Sequence, residues 1–350
     1  MSEVKAYGAK KESANLESMK IERRDFTNDD VEIEILYCGV CHSDIHQVQN
    51  DWGGSKYPVV PGHEIIGKVT AIGKDVSNFN EGDLVGVGCM VDSCQTCESC
   101  KNDLEQFCEN GATMTYNGED KHLGGHTFGG YSEKVVVNKE FVLSVPENID
   151  AAAAAPLLCA GITTWSPLKT WGVKEGDKVG VIGLGGLGHM GIKFAHALKA
   201  ETVMITTSKS KTEDAKSLGA DSVLISKDED AMKEHKGTFD FLLNTIPVGH
   251  DVNPYLELLK VDATMVLVGA IEPLKDVHGG NLILGRKRMA GSLIGGIKET
   301  QEMLDFCGEH NITCDVEMID MQDINTAFDR IKDSDVKYRF VIDMKSLKES

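Results

Sequence analysis

Ten cysteines are spread over the 350 residues, and four of them, Cys94, Cys97, Cys100 and Cys108, crowd into the polar stretch "SCQTCESCKNDLEQFC". The spacing Cys-x2-Cys-x2-Cys-x7-Cys sets the first three thiols around tight turns and brings the fourth back over a short loop. Four soft sulfur ligands suit the closed tetrahedral shell of a structural zinc ion. Ferredoxin-type iron–sulfur runs begin the same way, but Glu109 stands where they usually carry a proline after the last cysteine. Disulfides among such close neighbours would be strained. The pattern favours structural zinc in a lobe over residues 89–112.

A second set lies scattered: Cys41 in "YCGVCHSDIHQ", His63 in "PGHEIIGKV" and Cys159 in "PLLCAGITT". Two thiolates and one imidazole, with a fourth position open to water or substrate, form a ligand set of catalytic zinc. Taken singly, a cysteine is as often a small buried apolar residue, and a lone histidine a satisfied core residue. Spacing alone leaves both readings open. Glu64 could be a fourth ligand or an outer carboxylate, and Asp44 could orient the His63 ring.

The third chemical signal is "GDKVGVIGLGGLGHMGIKFAHAL". An apolar strand from Lys178 to Ile182 runs into Gly183-Leu184-Gly185-Gly186-Leu187-Gly188, and a helical pattern follows. In such a motif the first glycine permits the turn and the second lets a pyrophosphate approach the backbone. The third lets helix and strand pack closely. Strand before and helix after is the context that makes the motif informative. Twenty-four residues beyond Gly183 lies Thr207, in "TTSKSK", where an NAD site would place a carboxylate for the ribose. Thr207, Ser208, Lys209 and Lys211 suit the 2′-phosphate of NADP instead, so the residues favour NADP(H) over NAD.

The elements that must position these groups follow from periodicity. "ETVMITT", "DSVLI", "FDFLLNTI" and "ATMVLVGA" read as strands, with "KTEDAKSLG" and "VNPYLELLK" as helices between them. This βαβ rhythm predicts a doubly wound parallel sheet of the Rossmann type. After "RMAGSLIGG" the pattern changes to helix "ETQEMLDFCGEH", strand "VEMI", helix "DINTAFDRIKD" and strand "KYRFVID". The composition, 41% hydrophobic and 26% charged, is that of a globular protein. A net charge of −19, with no basic stripe to offset it, argues against nucleic-acid or anionic-membrane partners. The N-terminal stretch has no apolar core of signal-peptide length, and no run approaches a membrane span. A cytoplasmic, reducing location is the expectation, and there clustered cysteines mean metal or catalysis.

Together these motifs resemble the zinc-dependent medium-chain alcohol dehydrogenases. Within them the chain is similar to the cinnamyl alcohol dehydrogenase-like branch of NADP-dependent aldehyde reductases, and particularly to its bacterial broad-specificity members. The resemblance runs from "VEIEILYCGVCHSDIHQ" through "GGYSEKVVV" to "VKYRFVIDM". It implies an α/β fold in which a GroES-like, mainly β catalytic domain, residues 1–157 plus 295–350, is interrupted by a nucleotide domain, residues 158–294. It also implies two zinc ions per chain. Cys41, His63 and Cys159 would hold the catalytic one, with Glu64 as an alternating ligand. Ser43 and His46 would be the proton relay, His42 and Arg339 pyrophosphate contacts, and Thr163 a neighbour of the nicotinamide.

The implied activity is interconversion of primary alcohols and aldehydes with NADP(H), aromatic and cinnamyl-type aldehydes included, by a homodimer. Met114 stands where plant members carry a large aromatic, so one wall of a phenylpropanoid pocket changes, and Trp52 could supply another wall. The rivals are an NAD-linked zinc alcohol or polyol dehydrogenase, and a nucleotide-binding protein without turnover. The second sits badly with an intact ligand and relay set.

Overall fold

The computed structural model describes residues 1–269 and 272–348. The chain divides into two compact units, Met1–Cys159 with Gly295–Ser350, and Ala160–Ile294.

The first unit is built on a seven-stranded sheet. Its spine is the strand Asp30–Val40, in which Val31, Ile33 and Ile35 are buried and alternate with the acids Glu32 and Glu34. Period-two burial of this kind fixes which face meets the core, and each such aliphatic residue removed from water contributes about 1.5–3 kcal/mol. Ile65–Ile72 and Arg339–Asp343 both pair antiparallel with the spine, Cys38 opposite Ile65 and Val40 opposite Phe340. The end of the spine and the beginnings of its two neighbours therefore converge on one corner. Leu84–Val87 pairs with Ile65–Ile72, and Val316–Asp320 runs parallel to Arg339–Asp343.

The second unit is a six-stranded, wholly parallel sheet. Its strands run across the sheet as Ser222–Ile225, Glu201–Thr206, Lys178–Ile182, Phe239–Asn244, Leu259–Leu267 and Arg288–Gly291. In order of occurrence that is 3-2-1-4-5-6, the dinucleotide-binding arrangement, with its switch point between Lys178–Ile182 and Phe239–Asn244. Val179, Val181, Ile182, Val203, Leu242 and Leu243 are almost wholly buried, as a sheet covered on both faces requires. Ala270, the last residue of the strand expected over "ATMVLVGA", lies outside the described residues. Among the described residues no single helix is long and apolar enough to cross a membrane.

Candidate active site

Cys41 follows the spine strand directly and caps the helix His42–Gln49. Its sulfur accepts from the Ser43 N–H at 3.5 Å, while its own N–H donates to Asp44 Oδ2 at 2.8 Å. This reciprocal capping box, with a thiol in the role usually taken by a hydroxyl, fixes the Cys41 side chain at the sheet corner. His63 and Glu64 lead into the strand Ile65–Ile72, and Cys159 ends the short helical turn Ala155–Leu158. The fold thus gathers four residues from three parts of the chain. One ligand atom from each of Cys41, His63, Glu64 and Cys159 lies within 4.8 Å of all the others, and all four residues are buried. The Cys41 and Cys159 sulfurs are 3.9 Å apart.

Asp44 organises this corner. Its fully buried carboxylate accepts from the backbone N–H of Cys41 and of Gly62 and from the Tyr131 hydroxyl at 3.3 Å, and it meets His63 Nδ1 at 3.1 Å. With Nδ1 so engaged, Nε2 is the nitrogen left to bind a metal. Burial alone would depress the His63 imidazole, but Asp44 outweighs it and holds the ring well above its ordinary value. Burial pushes the Glu64 carboxyl up to about 7 against the pull of Arg339. Bonding from Cys159 holds the Cys41 thiol well below the usual range despite burial, while bonds to Cys41 and Cys89 push Cys159 well above it. Glu64 Oε2 is buried with no hydrogen-bond partner among the described residues. Two sulfurs, one imidazole nitrogen and one carboxyl oxygen gathered in a buried corner are the donor types zinc takes, so the donor set fits zinc.

Arg339 Nη2 donates to Glu64 Oε1 from a side chain that is 7% exposed. This contact has no signature in the sequence, where Arg339 was expected at the cofactor pyrophosphate. Three further neighbours also went unread. Asp51 Oδ2 meets His46 Nδ1 at 2.7 Å, Tyr116 packs edge-on against the His63 ring at 5.4 Å, and the Cys89 thiol donates to Leu158 O at 3.8 Å, one residue before Cys159. Asp51, five residues beyond His46, carried a faint sequence signal; Tyr116 and Cys89 lie beside short strands and reach the corner only through tertiary folding.

Ser43 and His46, the expected relay residues, share the helix His42–Gln49. The Ser43 hydroxyl lies 3.5 Å from Cys41 Sγ. The His42 and His46 rings stack at 4.7 Å, and Trp52 adjoins His46 at 5.1 Å. Met114, exposed on the short strand Thr113–Met114, has no bond to this group among the described residues.

The four-cysteine lobe is a second centre. One ligand atom each from Cys94, Cys97, Cys100 and Cys108 lies within the same 4.8 Å limit. Backbone N–H groups are aimed at the sulfurs: Cys97 at Cys94 Sγ (3.4 Å), Cys94 at Cys108 Sγ (3.5 Å) and Glu109 at Cys97 Sγ (3.5 Å). Donors pointing at sulfur stabilise thiolates: the Asn110 side chain, then the N–H groups of Thr96 and Cys97, hold Cys94 down to about 5, while burial pushes Cys100 up to about 12. The arrangement fits a closed tetrahedral metal. The lobe is tied to the returning segment by Glu105 Oε2, which accepts from Ile297 N at 3.0 Å, and by the pair Lys298–Asp103 at 2.9 Å.

In the second unit the glycine loop has the shape a pyrophosphate needs. Gly183 adopts φ +95°, and a Cβ on Gly188 would lie 1.9 Å from Gly183 O. A Cβ on Gly185 would meet only open space, so the backbone there can be approached. The "TTSKSK" turn follows the strand Glu201–Thr206 directly. Ser208 caps Lys209–Lys211, and Lys211 Nζ donates to Leu184 O at 2.9 Å, so the turn adjoins the glycine loop. Thr207 and Lys209 are exposed, and Thr163 is buried in the helix Ala160–Thr170.

A sulfur–imidazole corner on a mainly β unit, with a 3-2-1-4-5-6 parallel unit inserted in the chain, is the architecture of the zinc-binding dehydrogenase family. The chain belongs to the zinc-binding alcohol dehydrogenases. Residues 27–147 match the alcohol dehydrogenase GroES-like domain and residues 186–309 the zinc-binding dehydrogenase domain. It is 54% identical to the aldehyde reductase YahK of Escherichia coli, over 98% of this chain and 99% of that one. Among solved structures it is similar to a cinnamyl alcohol dehydrogenase of Sorghum bicolor, at 44% identity and a TM-score of 0.94, with 98% of both chains covered. It is also similar to the Helicobacter pylori CAD complexed with NADP(H), at 41% identity and a TM-score of 0.91, again with 98% of both chains covered. The enzyme interconverts alcohols and aldehydes.

Proposed function

We propose that this enzyme is an NADP(H)-dependent aldehyde reductase and alcohol dehydrogenase that carries two zinc ions per chain. It acts on a broad range of primary alcohols and aldehydes, aromatic and cinnamyl-type aldehydes among them. The observation that carries the chemistry is the buried Cys41–His63–Cys159 corner with Ser43 at its edge. Bound zinc supplies Lewis acidity toward a substrate oxygen, and the nicotinamide supplies or accepts the hydride.

The chain's own groups do the rest. Asp44 fixes the His63 ring, and the capping box fixes Cys41. The Ser43 hydroxyl takes or returns the substrate proton. His46, whose Nδ1 is engaged by Asp51, presents Nε2 as the outer station of that relay. Trp52 forms one wall of the pocket and Met114 another, leaving room for varied substituents.

NADP(H) is supported by the Thr207–Lys211 turn, which offers hydroxyls and ammonium groups and no carboxylate. The test is the rate of benzaldehyde or cinnamaldehyde reduction with NADPH and with NADH, on protein of known zinc content. A preference of about tenfold or more for NADPH is expected, and Ser208→Asp should lower NADPH use by about as much, since a carboxylate there repels the 2′-phosphate. Equal or faster turnover with NADH in the unaltered enzyme would overturn the assignment.

We also infer a homodimer. Arg288–Gly291 is the edge of the six-stranded sheet, and Ile283 and Leu284 beside it are 79% and 90% exposed. An uncovered edge flanked by apolar side chains is a template for pairing with a second copy. A monomer mass by light scattering at micromolar protein would refute it.

A further inference from the structure

Glu64 is held from two directions. Its backbone carbonyl accepts from Gly39 N at 2.9 Å, and its Oε1 accepts from Arg339. The other oxygen, Oε2, is buried with no hydrogen-bond partner among the described residues. It rests against the Cα of Gly39: a Cβ at that position would lie 1.9 Å from Oε2 and 2.9 Å from both Cβ and Cδ of Glu64. Gly39 lies within the strand Asp30–Val40 and is not at positive φ, so the backbone does not demand glycine there. The space does.

We propose that Gly39 is a positioning residue whose missing side chain makes the berth in which Glu64 rests on Arg339, leaving the fourth coordination position of the metal to substrate. The inference rests on the zinc reading of Cys41, His63 and Cys159. One Glu64 oxygen is already within 4.8 Å of the ligand atoms of these three, so a short displacement turns the carboxylate into a competing ligand. A methyl group at position 39 removes the berth. A carboxylate pushed out of that berth leaves its place on Arg339 and has the ligand atoms of Cys41, His63 and Cys159 within 4.8 Å.

The test is Gly39→Ala in enzyme loaded with cobalt(II) as a spectroscopic reporter. Release of the metal to a chelator is expected to slow by about tenfold or more, as a carboxylate joins the ligand set. The cobalt d–d bands should no longer respond to an added alcohol, and turnover should fall by about tenfold or more. In Gly39→Ala/Glu64→Ala the spectral response should return, with turnover equal to that of Glu64→Ala alone.

If Gly39→Ala also lost metal or turnover when Glu64 was absent, the residue would be merely structural and the proposal overturned. Should Gly39→Ala be insoluble, Gly39→Ala/Glu64→Gly, which removes every contact of the new methyl with the Glu64 side chain, is expected to fold. Its failure to fold would likewise refute the proposal. The zinc reading fails separately, if cobalt stoichiometry in the parent enzyme is unchanged by Cys159→Ser.

Discussion

Cys159→Ser is expected to contain one zinc ion per chain fewer than the parent enzyme, and to reduce aldehydes about a thousandfold more slowly or worse. The argument is one of ligand chemistry. Cys159 Sγ lies 3.9 Å from Cys41 Sγ in a buried corner that offers two sulfurs, one imidazole nitrogen and a carboxylate already engaged by Arg339. A serine hydroxyl is nearly isosteric but hard and un-ionised, so it replaces the shape of the ligand and not its charge or softness. Without a held metal, the Lewis acid that offsets charge developing on the substrate oxygen is lost. Zinc by elemental analysis and steady-state turnover are the two readings. Cys89, whose buried thiol donates to Leu158 O beside Cys159, is a further soft ligand in reach of the corner, and Cys89→Ser/Cys159→Ser controls for that. Full turnover in the double variant, or two zinc ions retained, would refute the catalytic metal site. The fold should survive, because the strands that form the corner are fixed by their own pairing.

Cys108→Ser should give the opposite division of effects, with loss of the lobe ahead of loss of chemistry. Between Cys94 and Cys108 the chain forms only the short helix Glu98–Lys101 and the turn Glu105–Phe107. Leu104 and Phe107 are 40% and 51% exposed, so the apolar residues available to the lobe do not build a core. Its cohesion comes from the four sulfurs, and the N–H groups aimed at them have no use without thiolate charge. Binding energy at such a site is folding energy. One zinc ion per chain, new proteolytic cuts within residues 95–110 and a melting temperature lower by about 10 °C are expected. Freshly folded variant should still reduce aldehyde, since none of Cys41, His63, Glu64 and Cys159 lies between Cys94 and Cys108. Unchanged melting and zinc content would show that the four cysteines are ordinary thiols.

What the amino-acid sequence determined by itself was whatever depends on residues close together along the chain. The Cys94–Cys108 cage is legible because its ligands fall within one loop. The glycine loop is legible because strand, turn and helix are contiguous. The Thr207–Lys211 turn could be located by counting from Gly183, since one βα unit has a nearly fixed length. Hydrophobic periodicity placed the strands of the parallel sheet for the same local reason.

The catalytic corner is different in kind. Cys41, His63 and Cys159 are individually ambiguous by spacing, and in the sequence it was the resemblance of the whole chain to a family that joined them. Tertiary structure brings them together: antiparallel pairing of Asp30–Val40 with Ile65–Ile72 and with Arg339–Asp343 joins the ends that carry Cys41, His63 and Arg339, and the turn Ala155–Leu158, packed against the same strands, adds Cys159. The same pairing set Arg339 on Glu64, brought Tyr131 to Asp44, and left at Gly39 a gap the size of one carboxylate oxygen. Contacts across hundreds of residues carry no periodic trace in a single chain, because each is fixed by sheet register and not by the residues on either side of it.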